Sequence, residues 1–391
     1  METIRRIEVI PLVRKLRQPF EGSTYKVISR NTIYARLETS GGIIGEAFGG
    51  DEDVYQEKVV EIANEYLAPL LIGKELAQIE NLWEQMFQVK DLPLHNRSIH
   101  TLDMVNHAVL MQAIAAIDMV LWDAFGKVLG QPLYKVWGEV RNSVPVIAIG
   151  GYYQPGVDIS ELREEINLVR QLELAGIKLK VGRWSVEEDI RRVTYIRENF
   201  PPDLVLCCDA NQAWTFGQAL QFARAVKDLN IEWLEEPLRW YDQLYGLNRL
   251  REVTGMRIVS GQGEISKWGC RDLILNGCID ALNVDATIAG GITEWRRIAN
   301  FAELMHVNMG HHEEPQVALQ LLAATRNATY VEIFPNRERD PMWYELVEER
   351  PRISGGLMFL PKKPGLGLSY NHEVINKYNG FGEGSANPTS L

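Results

Sequence analysis

Cysteine is scarce in this chain. The four present, Cys207, Cys208, Cys270 and Cys278, include no C-x-x-C pair, which removes zinc-ribbon and dithiol redox chemistry from consideration. They read as small, reduced packing residues. Positive charge is also in short supply: 52 acidic against 41 basic residues give a formal charge of −11, and no local Lys/Arg block offsets it. A nucleic-acid or anionic-membrane partner is therefore not expected. No uninterrupted run of about 18 apolar residues occurs. The opening METIRRIEVIPLVRKL alternates charge with apolar side chains where a secretory signal needs an apolar core, so a cytoplasmic location is expected. What remains is ordinary for a globular protein, 391 residues with 46% hydrophobic and 24% charged. That is enough for a large barrel or doubly wound domain plus a smaller unit.

Residues 1–135 read as strands followed by helices. IRRIEVIPLV and TIYARLETSGGIIGEAFGG carry β-rich runs split by Gly-Gly, a meander of antiparallel strands. Apolar residues at helical spacing follow over 52–71, 78–88 and 103–128, the last so apolar that burial is required. This is the pattern of a separate α+β domain. From residue 136 to 351 the rhythm changes to short apolar strands alternating with amphipathic helices. Strands are expected at 144–149, 177–181, 204–209, 231–235, 257–260, 280–285, 307–310 and 329–333. About eight βα units in succession fit a parallel (β/α) barrel, with an open doubly wound sheet as the competing α/β architecture. Residues 352–391 lack helical period and are expected to pack back on the first domain.

Catalytic groups of such barrels sit where strands give way to loops, and those positions are unusually charged here. GIKLK carries Lys178 and Lys180 on one face, LCCDAN ends in Asp209 and Asn211, and WLEEP in Glu235 and Glu236. Glu264, Asp285, the pair His311 and His312, and Glu332 follow at later strand ends. Alternation aims Glu235 and His312 at the mouth and leaves Glu236 and His311 flanking. Singly these signals are weak: a K-x-K is ordinarily a solvated face, DAN a turn, EEP a helix cap. The conjunction at seven successive strand ends carries the argument. Asp209, Glu235 and Glu264 would repel one another unless a cation sat among them, and hard oxygens in that number suit Mg²⁺. Beside a metal-bound anion the lysines become counter-charges, and burial is expected to depress one of them until it serves as a base. Asp285 from the neighbouring strand end can orient His312. A base on each side of a metal suits removal of a proton next to a carboxylate.

The set KLK, DAN, WLEEP, GE, DATIAGG, HHEEPQ and YVE resembles the mandelate racemase branch of the enolase superfamily, over nearly the whole chain and in the family's order. The resemblance implies a modified TIM barrel under an N-terminal α+β capping domain that the C-terminal tail completes. It implies Asp209, Glu235 and Glu264 as Mg²⁺ ligands, Lys180 as base on one face with Lys178 on the substrate carboxylate, and the Asp285–His312 dyad on the other face. Glu332 would hydrogen-bond the substrate carboxylate and Asn211 would line the site. Asp285 stands where the muconate lactonizing branch looks for a lysine, which argues against that branch's cycloisomerases and dipeptide epimerases. Within the family, racemases return the proton to carbon, whereas acid-sugar dehydratases use the counterpart of His312 to expel a β-hydroxyl. The loop PFEGSTYKVISRNT offers Ser23, Thr24, Tyr25, Lys26 and Arg30, and the barrel adds Tyr152, Tyr153, Arg183 and His311. A pocket so polar favours a sugar acid, so the expected activity is an acid-sugar dehydratase. A 2-hydroxy-acid racemase or epimerase is the alternative, and a non-catalytic relative is disfavoured by the full set of charged groups. The expected partner is a small carboxylate, and the chain is expected to be a homo-oligomer.

Overall fold

The computed structural model describes residues 2–51, 54–89, 104–153 and 159–380. The expected helix starts at 52 and 103 and the last part of the tail, 381–391, lie outside the described residues.

The first domain is the antiparallel meander β1 (Ile4–Glu21), β2 (Lys26–Thr39) and β3 (Ile44–Gly49). Its Gly-Gly turn works because Gly42 takes φ +83, a left-handed conformation that lets its amide donate back to the Thr39 carbonyl at 3.0 Å. Helical segments spanning 56–71 pack with the meander, as does the helix Met104–Val128, and the segment 79–87 packs on that helix.

The stretch His107–Val128 of that helix is long and apolar enough to cross a membrane by composition alone, yet 89% of its most apolar window is buried inside the protein. It is wedged between the meander and the barrel helix Gly291–Leu304. One of its buried acids, Asp118, accepts from Thr293 N at 2.8 Å and Thr293 Oγ1 at 2.7 Å. Asp118→Ala leaves both donors without that partner, with an expected loss of about 2–3 kcal/mol in urea unfolding. Asp118→Asn, which keeps an acceptor, should lose less.

Among the described residues eight parallel strands form the second unit: β4 (Ser143–Gly150), β5 (Gly176–Lys180), β6 (Val205–Asp209), β7 (Trp233–Glu235), β8 (Ile258–Ser260), β9 (Ala281–Leu282), β10 (Asn308–Met309) and β11 (Val331–Ile333). Each pairs with the next from β4 to β10, and β11 pairs with β4. The remaining gap is bridged where Met309 N donates to Asn327 O and Thr329 N to Met309 O, both at 2.8 Å. The circuit rules out the open doubly wound sheet. Strands β7, β9 and β10 are shorter than expected, so Asn283 and Asp285 stand beyond the ladder on the rim.

The barrel is modified after β11. Instead of a full outer helix, the short turn Met342–Leu346 buries Met342, Trp343 and Leu346 against Leu12, Tyr34 and Phe48 of the meander and Tyr370, Ile375 and Tyr378 of the tail. The tail itself divides. β12 (Ile353–Ser354) and β13 (Leu357–Phe359) form a hairpin whose second strand runs antiparallel to β4, so this part extends the barrel sheet and not the first domain. Only farther on does the helix His372–Tyr378 reach β1, where Arg14 Nε donates to Tyr378 Oη at 3.0 Å.

Candidate active site at the barrel mouth

Register places the charges. Along β5, Lys178 and Lys180 share a face, and Lys180 lies level with Asp209 on β6, which lies level with Glu235 on β7. All four side chains are buried. Lys178 Nζ sits 2.7 Å from Glu332 Oε1, 3.1 Å from Glu235 Oε1 and 3.9 Å from Asp209 Oδ2, while Lys180 Nζ reaches Asp209 Oδ2 at 2.6 Å. Two ammonium groups can lie side by side in this buried strand because each is held by carboxylates from other strands of the ring.

This arrangement corrects one expectation. Burial does pull both lysines toward the neutral amine, but Glu235, Glu332 and Asp209 around Lys178, and Asp209 beside Lys180, outweigh it and hold both above the ordinary lysine value. Asp209 is correspondingly held low despite its burial, by Lys180 and Lys178. Glu235 goes the other way, up to about 7, because it is buried and shares Lys178 with the like charges of Asp209 and Glu332.

Asn283 was missed in the sequence. It donates from Nδ2 to Glu235 Oε1 at 2.9 Å and to Glu332 Oε1 at 3.3 Å, tying two acids together. The signal was available, since Asn283 precedes Asp285 by two residues in NVD and so shares its face. Trp233 Nε1 donates to Glu235 Oε2 at 3.2 Å as well.

The Asp285–His312 pair comes together. Asp285 Oδ1 accepts from Thr287 N and Oγ1, both at 2.7 Å, and Oδ2 lies 3.5 Å from His312 Nδ1. Burial favours the neutral imidazole, but Asp285 and Glu313 prevail and raise His312 to about 9. His311 does not join the site. It is fully buried, accepts from Ala286 N on Nε2 at 3.1 Å, and therefore carries its proton on Nδ1, 3.0 Å from the His312 carbonyl. Glu236 is likewise spent on structure, accepting from Ser260 Oγ and Gly261 N at 2.9 Å each.

Of the expected substrate contacts, Tyr25 is the best placed: its ring, with that of Tyr152, covers Lys180 Nζ at 6.0 and 5.5 Å. Ser23 Oγ donates to the Val181 carbonyl and Thr24 Oγ1 to the Asn211 carbonyl at 3.3 Å, so this loop lies across the mouth. Asn211 holds Asp209 through its amide at 2.9 Å, and its buried Oδ1 has no hydrogen-bond partner. The others are turned elsewhere. Lys26 is exposed and lies 3.7 Å from Glu21; Arg183 pairs with Glu21 too. Tyr153 donates from Oη to Asp189 at 2.9 Å and offers the capping loop only its backbone, through paired bonds with Glu21. Arg30 is buried, with its guanidinium on Glu313 at 3.1 Å and Asp51 at 3.2 Å.

Glu264 also stands apart. Its carboxylate is folded over Gly269, where an added Cβ would come within 1.7 Å of Oε2, and it lines an outer groove with Trp240, Tyr241 and Tyr245. Burial, then the Glu236 and Asp272 charges, raise it to about 7. For a hard divalent cation the donors are therefore partly assembled. Asp209 and Glu235 fit, as adjacent buried oxygen ligands in an acid-rich cluster, with the orphaned Asn211 Oδ1 beside them. Among the described residues no three His, Cys, Asp or Glu side chains are grouped for a metal, and Glu264 has to turn away from Gly269 to complete a trio.

Residues 4–138 match the N-terminal domain of mandelate racemase / muconate lactonizing enzyme, and residues 161–374 match the enolase C-terminal domain-like family. The chain is 30% identical over 355 residues to the arabinonate dehydratase of Saccharolobus solfataricus, covering 88% of this chain and 90% of that one. It is 27% identical over 372 residues to the 3,6-anhydro-alpha-L-galactonate cycloisomerase of Streptomyces coelicolor, covering 94% and 96%. A mandelate racemase/muconate lactonizing enzyme from a marine actinobacterium, solved in complex with magnesium, superposes with a TM-score of 0.86 at 39% identity over 97% of this chain and 99% of that one. The chain belongs to the enolase superfamily, in its mandelate racemase branch.

Proposed function

We propose that this enzyme takes the proton next to the carboxylate of a sugar acid, an aldonate or aldarate, and eliminates the β-hydroxyl to give a 2-keto-3-deoxy acid. The observation that carries the reading is the placement of Lys180 on β5 and His312 after β10, three strands apart around one ring, the amine held by Asp209 and the imidazole by Asp285. Lys180 would accept the α-proton on one side. Lys178 would meet the substrate carboxylate, with Glu332 hydrogen-bonding it and Asn211 Oδ1 accepting from a hydroxyl. Tyr25 and Tyr152 exclude water above Lys180. Asp209 and Glu235, with Glu264 once turned, would hold Mg²⁺, which supplies positive charge for the dianion that develops when the proton leaves.

The arabinonate dehydratase relationship supports elimination, and the acid form of His312 favours it over simple return of the proton. The cycloisomerase relative keeps an isomerase as the second reading, with the same first step. Incubation with a panel of aldonates and aldarates in Mg²⁺, scored for 2-keto acid by semicarbazide absorbance, should find a substrate and lose the signal in EDTA. Deuterium wash-in at C2 with no keto acid from any panel member would instead establish the isomerase.

A further inference from the structure

The residue after His312 has no role in the scheme above, yet it sits between the site and the first domain. Glu313 is buried, and its Oε1 lies 3.7 Å from His312 Nε2, the ring nitrogen opposite the one that Asp285 holds. Its Oε2 is 3.1 Å from Arg30 on β2, which also grips Asp51 at 3.2 Å and lies over the Phe334 ring. The Glu313 amide donates to Glu332 Oε2 at 3.1 Å, and Glu332 Oε1 holds Lys178. Glu313 is thus tied both to the capping domain and to the acid cluster.

The backbone points to the same place. Glu313 and Glu314 both have φ +48, two successive non-glycine residues in the left-handed region, a conformation that persists only when surrounding contacts enforce it. Arg30 and Glu332 supply that enforcement at Glu313. The strained turn is what brings the carboxylate back alongside the histidine preceding it.

We propose that Glu313, anchored by Arg30 of the capping domain, is a positioning residue that aims the outer nitrogen of His312 and keeps a proton on it for delivery to the leaving hydroxyl. This rests on the elimination reading. In that step Lys180, which Asp209 holds charged in the free protein, first gives its proton to solvent; the amine then takes the α-proton, and the electron pair of that C–H bond passes into the carboxylate. The pair returns to form the Cα–Cβ double bond while the Cβ–O bond breaks toward oxygen. The oxygen takes the Nε2 proton and leaves as water, and the enol product becomes the keto acid. His312 ends neutral and Lys180 charged, so atoms and charge balance.

The groups facing the His312 ring are consistent with the role. Asp285 and Glu313 favour the imidazolium, whereas burial and the Lys178 ammonium oppose it. Glu313 itself stays ionised despite its burial because Arg30, His312 and Lys180 surround it. Elimination that needs the protonated ring should therefore fade as the pH rises through about 9.

The test is a nuclear magnetic resonance titration of substrate-free protein with labelled histidine, His312 being identified by its absence from the spectrum of H312N. In E313Q, which keeps the shape and removes the charge, the His312 midpoint should fall by about one pH unit or more. The alkaline limb of keto-acid formation should move down with it, with kcat reduced more than KM and C2 deuterium exchange retained. An unchanged midpoint in folded E313Q overturns the proposal. Should E313Q fail to fold, E313D, which withdraws the charge by one methylene, is read the same way: a smaller fall supports the role and no change removes it. The titration needs no substrate, so a shifted midpoint in a protein that makes no keto acid would reject the elimination reading while leaving the Glu313–His312 contact intact.

Discussion

Lys180→Ala is expected to abolish both keto-acid formation and exchange of the C2 proton with solvent, by about 10²–10⁴-fold. Both follow from one cause, because elimination cannot begin until carbon has lost its proton. His312→Asn should separate them: keto acid falls by a comparable factor while deuterium still enters at C2, since the amine that removes the proton is untouched. Exchange that survives in Lys180→Ala and disappears in His312→Asn would reverse the two assignments. Exchange that survives in both would mean that neither group is the base. Near-ultraviolet circular dichroism must show the alanine variant folded, because Asp209 loses its 2.6 Å partner in it.

Lys178→Met should be the most destabilising single change at the site. The ammonium lies within 4 Å of three buried carboxylates, those of Glu332, Glu235 and Asp209. Removing the charged partner of buried acids costs about 3–5 kcal/mol, a large part of the roughly 5–15 kcal/mol that holds a domain together. Urea unfolding without divalent ions should show that loss. Millimolar Mg²⁺ should recover part of it, since an ion bound only to the native state stabilises by about 2.7 kcal/mol at one hundred times its dissociation constant. An unchanged urea midpoint would mean that the acids are already neutral or hydrated, and the electrostatic account of the cluster would fail.

Much of this site could be read in the sequence because strand alternation is a local rule. Lys178 and Lys180 share a face for the same reason in any strand, and pairing in register then brings Asp209 and Glu235 alongside. The rule stops where the strand does. Glu264 stands four residues beyond Ser260, past a loop with Gly261 at φ +116, and nothing local says which way its side chain turns. Lys26, Arg183 and Arg30 are polar residues near the mouth, but each pairs with a carboxylate of the protein itself: Glu21 for the first two, Glu313 and Asp51 for the third. The lysine protonation is hidden from the sequence for a related reason. Burial is legible in the apolar run around the two lysines, whereas the surplus of acid from three other strands appears only once the strands are brought together around the ring.

The way the tail is shared between the two units bears on how the chain is made. Arg14 and Tyr378, which meet across the meander, are separated by 364 positions, and β4 receives its antiparallel neighbour from beyond residue 356. During synthesis the earliest strands therefore leave the ribosome long before the segments that cover them, with Leu12 and Tyr34 still waiting for Trp343 and Ile375. Contacts of such range form late and slowly, and the interval leaves apolar surface exposed to other chains. Yield at high expression rates should thus be governed by how quickly the final stretch arrives.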